Sequence, residues 1–255
     1  MPTAIEFRYL SVATAQGRLL LDRVSLTVEQ GTTTAIIGRS GSGKTTLLRT
    51  VNRMVEPTGG EVLVNGANTR TTNLIALRRS IGYVIQETGL FPHFNVERNV
   101  GLMLEVEGQS RPQRTSRSHQ LLTTVGLDPV LFAARYPHQL SGGQRQRVGL
   151  ARALAAEPGI LLMDEPFGAL DPLTRAEMQD MLLDLLARLQ KTVLLVTHDL
   201  DEALYLAHRI VFLSEGKLVA SLTPAEVLAS LQPEIQSYVR AFHRADARSI
   251  PARPL

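Results

Sequence analysis

The sequence predicts an α/β fold: a mainly parallel sheet core, an antiparallel β flank and an inserted helical subdomain. Three observations predict it. Apolar runs of strand length recur along the 255 residues, with helical patterns between them. Several of those runs are continuous rather than alternating, which suits strands buried on both faces. Residues 87–157 break the rhythm, carrying helical patterns and no strand signal.

Taken in order, residues 3–30 read as extended pairs and form the predicted flank, with "VSLTV" (24–28) as its clearest run. "TTAII" (33–37) is a buried strand, followed by a helix from Thr46 to Met54. "EVLV" (61–64) and "IGYVI" (81–85) are the next strands. The insertion runs from "NVERNVGLMLEVE" through "RSHQLLTTVGL" to a helix over Gln144 to Ala156, joined to the rest through "ETGLFPHF" and "AARYPHQL". "GILLM" (159–163), "TVLLV" (192–196) and "RIVFL" (209–213) complete the strands, with helices over Pro172 to Gln190 and Asp201 to Ala207 between them. The expected division is a core of residues 1–86 and 158–243, a helical subdomain of residues 87–157 and a mobile tail of residues 244–255.

Composition narrows the class. Hydrophobic residues at 44% and charged residues at 20% are ordinary globular values, and the length is ample for a buried core. The net charge of +3 comes from scattered Lys and Arg that form no dense run, so no nucleic-acid partner is expected. There are no cysteines, hence no disulfide framework and no cysteine metal site. The N-terminus lacks a basic segment followed by an apolar one, and the longest apolar runs are far too short to cross a bilayer. The expectation is a soluble intracellular protein that needs another chain to hold it at a membrane.

The chemistry sits at strand ends. "GRSGSGKT" fits the pattern G-x-x-x-x-G-K-[ST], with Gly38, Arg39, Ser40, Gly41, Ser42, Gly43, Lys44 and Thr45 between a buried strand and a helix that Thr46 continues. The glycines let backbone N–H groups turn inward on phosphate oxygens, Lys44 brings positive charge to the β and γ phosphates, and Thr45 offers a hydroxyl to Mg²⁺. "GILLMDEP" ends in two acids, Asp164 and Glu165. Alternation at a strand tip points them differently, so one suits Mg²⁺ and the other an attacking water. His198 ends "TVLLVTH", on a strand expected beside the phosphate-loop strand, where a γ-phosphate contact is expected. Gln86 ends "IGYVIQ", where an amide could meet Mg²⁺ or water. Ligands of open parallel sheets bind at the carboxyl ends of strands, so these tips are expected to converge.

A second phosphate-type turn follows in "LSGGQRQRVGLARAL". Ser141, Gly142 and Gly143 fit a helix N-terminus that offers N–H groups and its dipole to an anion. A Ser cap alone accounts for Ser141 but not for the Gly-Gly after it.

These motifs, in this order, resemble the ATP-binding cassette family of transport ATPases, which are phosphate-loop NTPases. The resemblance rests on "GRSGSGKTT", Gln86 of "YVIQ", "LSGGQ" (140–144), "ILLMDEP", "GALD" with Asp171, and His198 of "VTHD", and covers roughly residues 5 to 230. It implies an ATP- and Mg²⁺-dependent motor that closes as a head-to-tail pair of nucleotide domains. Glu165 would be the general base, Asp164 the Mg²⁺ carboxylate and His198 the γ-phosphate contact. Asp171 would join the two sites, and Ser141 to Gln144 would serve the γ-phosphate held by the other subunit. Within the family, "IGYVIQETGLFPHFNVERN" and "LLMDEPFGALDPLTR" look most like the ATPase subunits of bacterial osmoprotectant importers, which move glycine betaine, choline or carnitine. That resemblance implies a cytoplasmic-face peripheral subunit with two membrane permeases and, indirectly, a substrate-binding protein as partners.

The chain departs from that pattern in three places. The register of the family's adenine-stacking aromatic falls on Thr14, and Tyr9 is five residues too early to replace it; losing such a ring removes about 1 kcal/mol. Within these 255 residues the C-terminal pair of regulatory repeats that some osmoprotectant ATPases carry is not expected, and "NVGLMLEVEGQ" lacks the Val-Pro expected after it. An importer ATPase for an amino acid, sulfonate or nitrate is an alternative reading. A non-transport cassette ATPase acting on nucleic acid is another, from a different class.

Overall fold

A computed structural model describes residues 2–86 and 89–247. β1 (Thr3–Ala13) and β2 (Leu19–Glu29) run antiparallel, with Phe7 opposite Leu26. β3 (Thr33–Ile37), buried at every position, leads into α1 (Lys44–Val51). β4 (Gly59–Val64) and β5 (Ala67–Asn68) then extend the first pair into a sheet of order β2-β1-β4-β5. α2 (Leu74–Arg79) is capped by Asn73, whose side chain accepts from the N–H groups of Ile75 and Ala76. It ends just before β6 (Ile81–Val84).

Among the described residues no strand separates β6 from β7 (Ile160–Asp164); α3 (Val96–Val106), α4 (Arg111–Thr124), α5 (Pro129–Phe132) and α6 (Gly142–Leu154) fill the interval. Yet β6 and β7 are parallel neighbours, with Ile81 opposite Ile160, so the helical segment is inserted between adjacent strands. α7 (Pro172–Leu189), β8 (Thr192–Thr197), α8 (Leu200–Leu206) and β9 (Arg209–Ser214) follow. β10 (Lys217–Leu222), α9 (Pro224–Ala229) and α10 (Pro233–Ala247) complete the described chain. The second sheet has the order β10-β9-β3-β8-β7-β6, with β10 antiparallel to β9 and the other pairs parallel.

Burial follows the pleat. On β7, Leu161 and Met163 pack with Val100, Leu122, Val148 and Leu154 of the helical segment. Ile160 and Leu162, on the other face, pack between the sheets with Phe7, Leu10, Leu21 and the α1 residues Leu47 and Leu48. A third cluster joins Ile37, Ile210 and Phe212 to Ala203, Val227 and Ile235. Each such large apolar side chain contributes about 1.5–3 kcal/mol by leaving water, so two-sided burial makes the central strands the most firmly held part of the chain.

The structure adds to the sequence expectations in several places. The "EVLV" strand belongs to the antiparallel flank and not to the parallel core: Val62 and Val64 lie opposite Phe7 and Ile5 of β1. α1 and α6 each begin two residues before the apolar pattern does, since a helix starts at its cap and not at its first buried side chain. β10, α2, α9 and α10 had no counterpart among the expected elements. Of the tail expected over 244–255, residues 244–247 continue α10 and the remainder lies outside the described residues.

A methyl group at Gly82 of β6 would sit 2.5 Å from the carbonyl oxygen of Ala153 and 2.5 Å from Leu161 Cδ2, so the strand and α6 meet backbone to backbone. Gly82→Ala is expected to destabilise the fold by about 1–3 kcal/mol through overpacking, read as a lower midpoint in urea unfolding with an unchanged m-value.

Candidate functional site

β3 ends at Ile37 with both faces covered, and the chain turns through Gly38 to Gly43 into α1. Gly43 is the N-cap and takes φ of 103°, a left-handed conformation that side chains resist. Lys44, the first helical residue, is 6% exposed, and its ammonium donates to the carbonyls of Gly38 at 2.8 Å and Arg39 at 3.1 Å. Burial lowers its pKa, while the charges of Glu165 and Asp164 oppose that shift. The loop therefore folds around its own cation. Ser40, Gly41, Lys44, Thr45 and Thr46 line a cavity of about 300 Å³ with Glu165, and Arg18 and Leu20 line it from β2 and the turn before it. Ser42 is buried, its hydroxyl in the space that a Cβ on Gly38 would take.

Asp164 ends β7 and is 6% exposed. Its Oδ1 accepts from the Thr45 hydroxyl at 2.8 Å. Its Oδ2 accepts from Arg49 at 3.4 Å and from the Tyr83 hydroxyl at 3.3 Å, while Arg49 Nε donates to that Tyr83 oxygen at 3.2 Å. The carboxylate is thus divided: one oxygen is fixed from behind and the other is left facing Thr45. Adjacent oxygens of an octahedral Mg²⁺ shell stand about 3 Å apart, so the Thr45–Asp164 pair fits as two of its ligands, with waters and phosphate oxygens supplying the rest.

Glu165 turns away from its neighbour. Its φ of 48° is left-handed for a residue with a Cβ, a conformation that costs about 1–2 kcal/mol. Its N–H donates to the carbonyl of Val196 on β8 at 2.9 Å, which holds it there. Its Oε2 lies 3.1 Å from Nδ1 of His198, just past the end of β8, the strand that pairs with β3. Gln86, beyond the end of β6, has Nε2 3.7 Å from the point that a Gly168 Cβ would occupy, and Glu165 Oε2 lies 3.8 Å from the same point. Glu165 thus lines the phosphate-loop cavity and is also bonded to His198, with Gln86 near the same Gly168 turn.

Behind them stands a cluster that the sequence did not reveal. Arg175 of α7 donates to the carbonyl of Leu170 at 3.0 Å and lies 3.6 Å from Asp199 Oδ2. It ties the turn before Asp171 to the turn after His198. Beside it, Glu202 is 4% exposed, and burial, with the Asp199 charge, pushes its pKa up to about 8. Arg49, Tyr83, Arg175 and Glu202 lie far apart in the chain, and only tertiary packing assembles them.

The second phosphate-type turn lies elsewhere. Ser141 caps α6: its hydroxyl accepts from the Gln144 N–H at 3.2 Å, and Gln144 Oε1 accepts from the Ser141 N–H at 3.0 Å. Asp171 likewise caps α7, accepting from the Thr174 N–H at 3.1 Å; that hydrogen bonding to Thr174 lowers its pKa. A Cβ on Gly143 would meet Thr174 Cγ2 at 2.5 Å, so the glycine that a Ser cap leaves unexplained has a packing reason. Arg145 and Arg147 fold back onto the carbonyls of Leu140 and Val125. None of Ser141 to Gln144 or Asp171 lines the cavity at the strand tips. Tyr9 does not line it either; it is 72% exposed at an irregular position of β1.

Glu202 makes stability depend on pH. Its folded pKa of about 8 stands above the ordinary value of 4.5, so its favourable contribution is complete below about pH 4.5 and is lost as pH rises through 8. Glu202→Gln keeps the neutral shape. Wild type is expected to lose stability relative to that variant between about pH 5 and 8, at up to about 1.4 kcal/mol per pH unit, read from unfolding free energies across a pH series.

Comparison with known proteins follows the same residues. Residues 21–168 match the ABC transporter family. The chain is 46% identical over 209 residues to the osmoprotectant import ATP-binding protein OsmV of Salmonella typhimurium, covering 82% of this chain and 55% of that protein. It is 45% identical over 238 residues to the glycine betaine/carnitine/choline transport ATP-binding protein OpuCA of Bacillus subtilis, covering 93% of this chain and 61% of that one. The chain thus spans little more than half the length of these relatives. Among solved structures it resembles a dimeric ATP-binding cassette in a post-hydrolysis state bound to ADP and Pi, with 34% identity, a TM-score of 0.77, and 86% of this chain and 98% of that chain covered. By motif, fold and sequence identity, the chain belongs to the ABC transporter family.

Proposed function

We propose that the chain is the ATP-hydrolysing motor of an importer for osmoprotectants, working as a head-to-tail pair on membrane permeases at the cytoplasmic face, with a substrate-binding protein upstream. The observation that carries the motor reading is a separation within one chain. The phosphate loop and Glu165 line one cavity, with Asp164 bonded to Thr45 and His198 bonded to Glu165, while the Ser141 turn, suited to an anion, makes none of these contacts. Each chain then holds halves of two sites, and ATP bridges them. The structural neighbour that is dimeric with ADP and Pi supports this arrangement, and the solutes for which the OsmV and OpuCA relatives are named support the solute class.

In this reading the backbone of residues 38–46 and Lys44 hold the phosphates, and Thr45, Asp164 and Gln86 hold Mg²⁺ directly or through water. Mg²⁺, when bound, neutralises charge on the β and γ phosphates. Glu165 takes the proton of the attacking water, and His198, beside it, contacts the γ-phosphate and orients the carboxylate. Asp171 and the residues 141–144 act on the partner's nucleotide. Residues 87–157 form the subdomain that carries the 141–144 turn, and residues 1–86 and 158–243 form the core.

Glu165→Gln is expected to bind ATP and to slow steady-state turnover by about a hundredfold or more, with nucleotide-bound dimer accumulating in size-exclusion chromatography; rapid turnover by this variant refutes the general-base role. Specific ATPase rate is expected to fall on dilution, since the site is completed in trans. A rate per chain that holds constant across the dilution series refutes the shared site.

A further inference from the structure

Arg18 is not used by the mechanism above, yet it lines the same cavity as the phosphate loop. Its position is built. Gly17 N–H donates to the Thr14 carbonyl and Thr14 N–H to the Arg18 carbonyl, each at 2.9 Å, and Arg18 N–H donates to the Thr14 hydroxyl at 3.3 Å. Thr14 thus closes the turn that presents Arg18. Two residues on, the Leu20 carbonyl lies so close to the loop that a Cβ on Gly43 would sit 2.7 Å from it. The start of β2 is therefore pressed on the phosphate loop, and Arg18 is held at the cavity beside the half-buried Leu20. Among the described residues the Arg18 side chain makes no hydrogen bond or ion pair.

We infer that Arg18 is the base platform of this site: its guanidinium plane lies on the face of the purine, with Leu20 as the apolar contact beside it. This rests on the nucleotide-site reading given above. The lining divides by chemistry. Backbone N–H groups, Lys44, Thr45 and Glu165 suit phosphates and their metal, whereas an apolar leucine suits a ring and gives a phosphate nothing. A guanidinium is planar and weakly hydrated, and it stacks on bases where an ammonium does not. Stacking reads the face of the ring and not its edge, so ATP and GTP are held nearly alike. Thr14 is then the brace of the platform and not an empty seat for a ring.

The test is a competition titration of the full chain against a fluorescent ATP analogue, with ATP, GTP and inorganic tripolyphosphate as competitors. Arg18→Ala is expected to weaken ATP and GTP each by about tenfold, equal to about 1.4 kcal/mol, and to leave tripolyphosphate unchanged. Arg18→Trp is expected to restore ATP affinity, because a ring stacks as well. Unchanged ATP affinity in Arg18→Ala overturns the inference. Equal losses for ATP and tripolyphosphate also overturn it and put the guanidinium on the phosphates. Lys44→Ala separates the two readings. If it loses both ATP and tripolyphosphate while Arg18→Ala loses neither, only the platform falls. If it loses neither, the nucleotide site falls and the platform with it.

Discussion

The two-sided grip on Asp164 is the constraint from which the rest of the site takes its geometry. One carboxylate oxygen is held by Arg49 and Tyr83, the other by Thr45. Those partners come from α1 and β6, so a single buried side chain at the tip of β7 sets the distance between the phosphate loop and the neighbouring strands. A buried charge needs such partners to offset the loss of its hydration. With Asp164 fixed, the next residue has to depart from the strand. The left-handed backbone of Glu165 is the form that departure takes, and the Val196 carbonyl anchors it.

The same economy governs the second half of the chemistry. Ser141 and Asp171 both serve as helix caps within the chain, and their two turns touch through Gly143 and Thr174. Groups that the proposed dimer would turn toward a partner's phosphate are thus already ordered by local hydrogen bonds. Arg175 extends that order to the turn after His198. The Asp171 turn is thus joined to the turn after His198 by the Arg175 side chain.

Much of this was legible in the sequence, for a definite reason. Asp164, Glu165 and His198 stand where apolar strands stop, and a run of buried residues followed by a polar one marks that point without any knowledge of the fold, while Lys44 and Thr45 are marked by the glycine pattern of the loop before them. The α/β class was legible on the same ground. What the sequence hid was pairing. "EVLV" has the composition of a core strand, and only the β1 partner assigns it to the flank. Tyr83 sits in the middle of an apolar run, and nothing nearby reveals that its hydroxyl reaches Asp164. Gly143 also has a packing role that the sequence hid, because Thr174, the residue that crowds it, is thirty-one positions away. Some signals were present and unread: "TPAE" (223–226) is a capping box with proline at the first helical position, and it opens α9.

The insertion of the helical segment between two paired strands also shapes how the chain assembles. Ile81 must find Ile160 across about 80 intervening residues, and loop-closure entropy opposes that contact until the helices have condensed. At a ribosomal pace of about 5–20 residues per second, β6 emerges several seconds before β7 exists to receive it. During that interval its backbone hydrogen-bonding groups stand open beside the apolar residues Ile81 and Val84. The last strand of the sheet is thus an open edge during synthesis, and synthesis rate and chaperone access bear on how it finds its partner.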